Sequence, residues 1–282
     1  MRLLNKPLFW FCLLAGYCIP ASAQIYLNSE YRFGIDRQQA GTQQGLFNGL
    51  LLVEDKPYTL SGLSFSAGYF HQPDSLQLAW TAGCTYSSRV SGAMLKSMDS
   101  GDNGLAAYST LQHQYLSADL GVVFHFQLNK LKTRTAMGIA IPVYMNGSEK
   151  TIWNWQGDQG YELRDIRYRQ GFGFHASQDF CIHAGSRTLL HAGVGLGWIS
   201  AMRKSKTLNR ISNNKGINTN LVYTKPADRI TYYLTLKETE ANGRINDPAL
   251  AGFDSGKPAE SISYPEPMAY VSMKLGITWL IK

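Results

Sequence analysis

The chain has 282 residues and a formal charge of +7, which falls to +5 for residues 24–282 once Arg2 and Lys6 of the N-terminal segment are set aside. That charge is mild for the length and is no signature of nucleic-acid binding, though it favours settling of loops on anionic headgroups. The hydrophobic fraction of 44% and mean hydropathy of −0.20 are ordinary, and no apolar run after the N-terminal segment is long enough for a membrane helix. Membrane-crossing strands escape such a test, because only every second residue needs to be apolar.

Residues 1–23 carry Arg2 and Lys6, an apolar run from about Pro7 to Ile19, and Ala21-Ser22-Ala23. A charged start, a short apolar core and an A-x-A site describe a secretory signal peptide cleaved before Gln24. The run is shorter than the ~20 residues that span a bilayer as a helix. Tyr17 stands before Cys18 and spoils a lipoprotein box. Cleavage leaves Cys84 and Cys181, and the alternation below points the first outward and the second inward, against a bridge between them.

Segments with period-two apolar alternation follow at about Ile25 to Phe33, Leu60 to Phe70, Leu76 to Arg89 and Leu111 to Gln127. Four more lie at about Thr133 to Met145, Gly171 to His183, Thr188 to Ala201 and Met268 to Ile281. All eight meet the ~9 to 11 residues that a tilted membrane strand requires. Short connections (His71 to Ser75, Leu128 to Lys132, and around Gly185) alternate with long ones (from Gly34, Val90, Asn146 and Met202). This is the rhythm of outer-membrane barrels with short periplasmic turns and long extracellular loops.

One face of these segments is apolar, as in Leu116, Ala118, Leu120, Val122, Phe124 and Phe126. The other carries Glu30, Arg32, Ser64, Ser66, Thr81, Thr85, Asp119, His125, His175, Asp179 and Lys274, interleaved with glycines. Charges are costly in an apolar core but can pair across a polar lumen. Closure of the first strand on the last suggests a pair between Glu30 and Lys274. In HAGVGLGWIS (191–200), Gly193, Gly195 and Gly197 fall on the lumen face, where they leave room for long side chains, while Val194, Leu196 and Trp198 face lipid. Tyr69, Tyr86, Phe126, Trp198 and Trp279 lie near strand ends, where aromatic girdles belong. The expected fold is all-β: a closed antiparallel up-and-down transmembrane β-barrel of eight strands over residues 24–282. A hairpin formed by Thr219 to Thr224 and Arg229 to Lys237 around KPAD (225–228) raises the count to ten if KPAD is a periplasmic turn, but both arms are more polar than the other strands and lack lumen glycines, which favours an extracellular hairpin. The third long connection has similar chemistry in TIWNWQGDQGYELRDIRYRQ (151–170), which reads as strands prolonged beyond the membrane.

With these features the chain resembles the outer-membrane β-barrel domain family, the small closed barrels related in shape to OmpX and the OmpA membrane domain. The resemblance covers Gln24 to Lys282 and rests on pattern. The last strand, AYVSMKLGITWLI, resembles the C-terminal signal read by the barrel-assembly machinery, although the chain ends on Lys282 and not on an aromatic. The resemblance implies a Gram-negative outer membrane, contact with its lipids and lipopolysaccharide, and a structural, binding or envelope-complex role through the extracellular loops. Those loops carry Trp153, Trp155, Tyr161, Tyr223, Tyr232 and Tyr233, aromatic types enriched at interfaces.

Candidate sites are few, and no cofactor or nucleic-acid partner is expected. Cys181, His183 and His191 are suitable zinc ligands brought together if the intervening turn is three residues long, against the plainer reading of a satisfied polar interior. His113, Asp165 and His175 are the candidates if the protein is an outer-membrane enzyme acting on lipid or peptide, with nothing fixing their mutual geometry. An eight-stranded interior is filled by side chains, which opposes a wide pore. A secreted soluble ligand-binding β-barrel is the remaining alternative, and it requires the apolar face to point inward.

Overall fold

The computed structural model describes residues 23–35, 45–47, 50–52, 59–71, 78–91, 94–98, 106–128, 131–155, 158–213, 218–220, 229–239, 244–247, 250, 252–263 and 265–281. Residues 1–22 of the signal-peptide reading, Tyr223 and KPAD lie outside the described residues. In chain order the strands are β1 (Ala23–Gly34), β2 (Gly45–Phe47), β3 (Leu50–Leu52), β4 (Leu60–His71), β5 (Leu78–Ser91), β6 (Met94–Met98), β7 (Ala106–Leu128) and β8 (Leu131–Trp155). They continue with β9 (Asp158–Tyr168), β10 (Phe172–His183), β11 (Thr188–Asn213), β12 (Asn218–Asn220), β13 (Arg229–Tyr233), β14 (Ala259–Ile262) and β15 (Pro265–Leu280).

The strands β1, β4, β5, β7, β8, β10, β11 and β15 each pair antiparallel with the next, and β15 pairs back with β1. Eight strands therefore close a ring of hydrogen-bonded neighbours, one for each alternating segment of the sequence. Rows of paired residues lead from Tyr115 through Ser87, Ser64, Glu30, Lys274, Gly193, Asp179 and Arg134 to His125. One circuit thus returns to β7 ten residues further along, the stagger that tilted strands in a closed sheet require.

The expected long connection after Asn146 is largely strand, and the one after Met202 begins as strand. At 25 and 26 residues, β8 and β11 continue far beyond their pairing with β10, and β9 fills the space between them. β9 and β10 thus form one descending strand interrupted at residues 169–171. On the other edge of β11, β12 pairs with residues 210–212 and β13 with residues 205–207, while β14 runs parallel to β13. Among the described residues the two arms flanking KPAD do not pair with each other, and neither joins the ring.

The alternation places the apolar residues outside. Leu27, Phe65, Leu120, Met137, Phe174, Val194, Leu196, Met273 and Leu275 are all exposed, the last two at 65% and 66%. Inside, Arg89, His113, Ser64, Asp179 and Thr278 are inaccessible. Cys84 is half-buried and Cys181 buried, and no disulfide joins them.

Closely packed inward side chains explain the glycines of HAGVGLGWIS. A methyl group on Gly195 would stand 2.6 Å from Ser272 Oγ, one on Gly197 would run into the Tyr270 phenol, and one on Gly193 into the Asp179 carboxylate. Gly197→Val is therefore expected to lower stability by about 1–3 kcal/mol through overpacking. The outward Leu196→Val serves as the control, and comparison of urea midpoints checks the difference.

Candidate functional site

The most distinctive site is the interior of the ring, which carries an apolar cluster toward each end. At the end with the short turns, Tyr26 stacks on Phe70 at 4.9 Å and packs with Ala79 and Val123. Toward the end with the extended strands, Leu60, Leu111, Tyr115, Met145, Ile166, Ile199 and Met268 form the second cluster. Between them lies a polar chamber of about 70 Å³ whose lining includes Asn28, Glu30, Arg32, Asp119, His175 and Lys274. That volume suits on the order of five waters.

Ionic groups on the chamber wall are paired across several strands. Asp179 accepts from Arg134 Nη2 at 2.7 Å and from Lys274 Nζ at 2.8 Å, while His191 Nδ1 lies 3.8 Å away. Lys274 also donates to Ser177 Oγ at 2.7 Å. Thr85 and Ser117 donate to the Asp119 carboxylate. Arg32 donates to Glu30 at 3.1 Å and to the Tyr115 hydroxyl, and its guanidinium lies 4.2 Å over the Tyr270 ring. Hydrogen bonds and ion pairs of this kind are what allow charge to persist in a dry interior.

The expected pair between Glu30 and Lys274 is corrected in part. The two are cross-strand partners in register, as closure requires, but Lys274 is drawn to Asp179 and Glu30 to Arg32. Asp179 sits on β10, two strands from β15, and approaches Lys274 across β11.

Tyr168, a member of the second cluster, links His113 and Glu266. The phenol oxygen is 3.0 Å from His113 Nε2 and donates to Glu266 Oε2 at 3.4 Å, and Glu266 is ion-paired with Arg203. His113 itself is fully buried. Burial raises the Glu266 carboxyl, against the pull of Arg203. Glu149 and Lys206 form a further ion pair, and Ser109 donates to Glu149 at 2.9 Å.

Sequence-predicted residues divide among several places. Cys181 does stand opposite His191 in register. His191, however, lies 3.0 Å from Arg134 Nη2, and His183 is exposed and 2.8 Å from Lys132 Nζ. Among the described residues no group of three His, Cys, Asp or Glu side chains is assembled for a metal. The enzyme candidates are equally dispersed: His113 is buried against Tyr168, His175 lines the chamber, and Asp165 is exposed and accepts from Asn209. Arg134, Tyr168, Tyr270 and Glu266 were missed as site residues. Arg134 shares a strand face with Gly138, and that period-two relation to a lumen glycine is the signal that points to it.

No model of a known protein family matches the chain, and neither does any curated protein.

Proposed function

We propose that this protein is an integral outer-membrane β-barrel that acts by binding through its extracellular strands and loops, and is not a wide pore. The observation that carries the reading is an outward belt dominated by apolar residues, with Ser29 and the hydrogen-bonded Thr135 and Gln178 within it, around a closed ring whose inside is charged. On β7 the belt runs from Leu116 to Phe126, roughly 25 Å at ordinary strand rise and tilt, the height of a barrel's apolar band. A soluble barrel for apolar ligands would need the opposite arrangement, with Glu30, Arg32, Asp119 and Lys274 outside. The two apolar clusters that flank the chamber oppose conduction, and the strand extensions beyond the belt are the surface available to an envelope partner.

On this reading the leader is removed on export, the barrel-assembly machinery inserts the chain, and lipopolysaccharide surrounds the outer half of the belt. The test is electrophoretic mobility of protein from carbonate-washed outer membranes, with and without boiling. Retention in the pellet together with a faster unboiled band is the expected result. Release by carbonate with identical bands would overturn the membrane assignment. In planar bilayers the inserted protein should show no sustained conductance.

A further inference from the structure

Directly above the belt, the outward face of β7, β8 and β9 becomes abruptly polar. Leu116 pairs with Tyr144; the next outward row is Gln114, Asn146 and Arg167, and the one after it is Gln112, Ser148 and Asp165. These two rows line a groove of about 230 Å³. Asn146 Nδ2 donates to the Tyr144 hydroxyl at 2.7 Å, which fixes the amide over the last ring of the belt. Arg167 is exposed, and exposed Lys204 occupies the bulge in β11 immediately before Ser205, the partner of Arg167. The one anion in the groove, Asp165, is engaged by Asn209.

We infer that this groove holds the headgroup of an anionic, sugar-bearing lipid of the outer leaflet. The inference rests on the membrane assignment above and adds a defined headgroup site and the residues that hold it. Side-chain amides and a hydroxyl offer the paired donors and acceptors that sugar hydroxyls require. Arg167 and Lys204 supply cations for a phosphate, with the Arg167 fork suited to bidentate contact. Continuity settles the occupant: acyl chains lying on Leu116, Tyr144 and the belt below carry their headgroup into these two rows. A free sugar phosphate would lack that apolar anchor.

The full chain would be reconstituted in phosphatidylcholine vesicles containing either a phosphorylated diglucosamine lipid or phosphatidylglycerol. After detergent extraction, retained lipid is counted by native mass spectrometry. The wild-type protein should keep the glycolipid and not phosphatidylglycerol, and Asn146→Ala with Arg167→Ala should reduce retention about tenfold, the scale expected for losing a charge-assisted hydrogen bond. Equal retention by the double variant, or equal retention of phosphatidylglycerol, overturns the site. Both outcomes presuppose an unboiled band shift in both vesicle types. If that shift is absent from both, the membrane assignment has failed, and the groove assignment falls with it.

Discussion

Asp179→Ala is expected to destabilise the ring by about 3–5 kcal/mol, the usual consequence of removing one partner from a buried ion pair. The carboxylate has no solvent exposure and is the shared acceptor for Arg134 and Lys274. Without it, two buried cations and the His191 ring remain around an empty volume. Both cations line the small chamber, whose few waters do not replace a buried carboxylate. Urea unfolding of the refolded protein in vesicles measures the loss. A second variant, Asp179→Asn with Lys274→Met, removes one cation together with the charge and should recover part of it. A midpoint for Asp179→Ala within error of wild type would mean that the cluster contributes no net stability.

Leu120→Arg should cost about 2–4 kcal/mol in vesicles, the range for arginine on the lipid face near the bilayer midplane. Leu120 is 51% exposed and lies midway along the outward row from Leu116 to Phe126. In water such a substitution on a half-exposed side chain would stay within roughly ±0.5 kcal/mol. Ile152→Arg is the matched control, since Ile152 is similarly exposed at 47% but lies beyond the belt, where the cost should be about 0–1 kcal/mol. Equal small effects at the two positions would argue for water around the whole ring. The paired measurement thus tests the environment of the belt independently of gel mobility.

The ring was legible in the sequence because one physical constraint, apolar outside and polar inside, writes itself on alternate residues of every strand. Even the cross-strand meeting of Cys181 and His191 follows from turn length. Residues 151–170 read as strands prolonged beyond the membrane and form the end of β8 and β9, whereas the extension of β11 reads as loop because outside an apolar environment both faces can be polar, and the alternation fades. Bulges add to this: the register slips between Leu116 and Ser117 opposite Pro142 to Tyr144, and again around Lys204, so a strict period of two loses phase. The partners of individual charges were less accessible still. Register predicts who stands beside whom along a row, but inside a narrow ring a long lysine reaches past its neighbour, as Lys274 does toward Asp179.

The chamber also bears on how the molecule is made. Of the pairings around the ring, that of β1 with β15 joins the strands farthest apart along the chain. Lys274 is carried on β15, so Asp179 and Arg134 lack their third partner until that strand docks. Closure of the sheet and completion of the charge cluster are therefore one event.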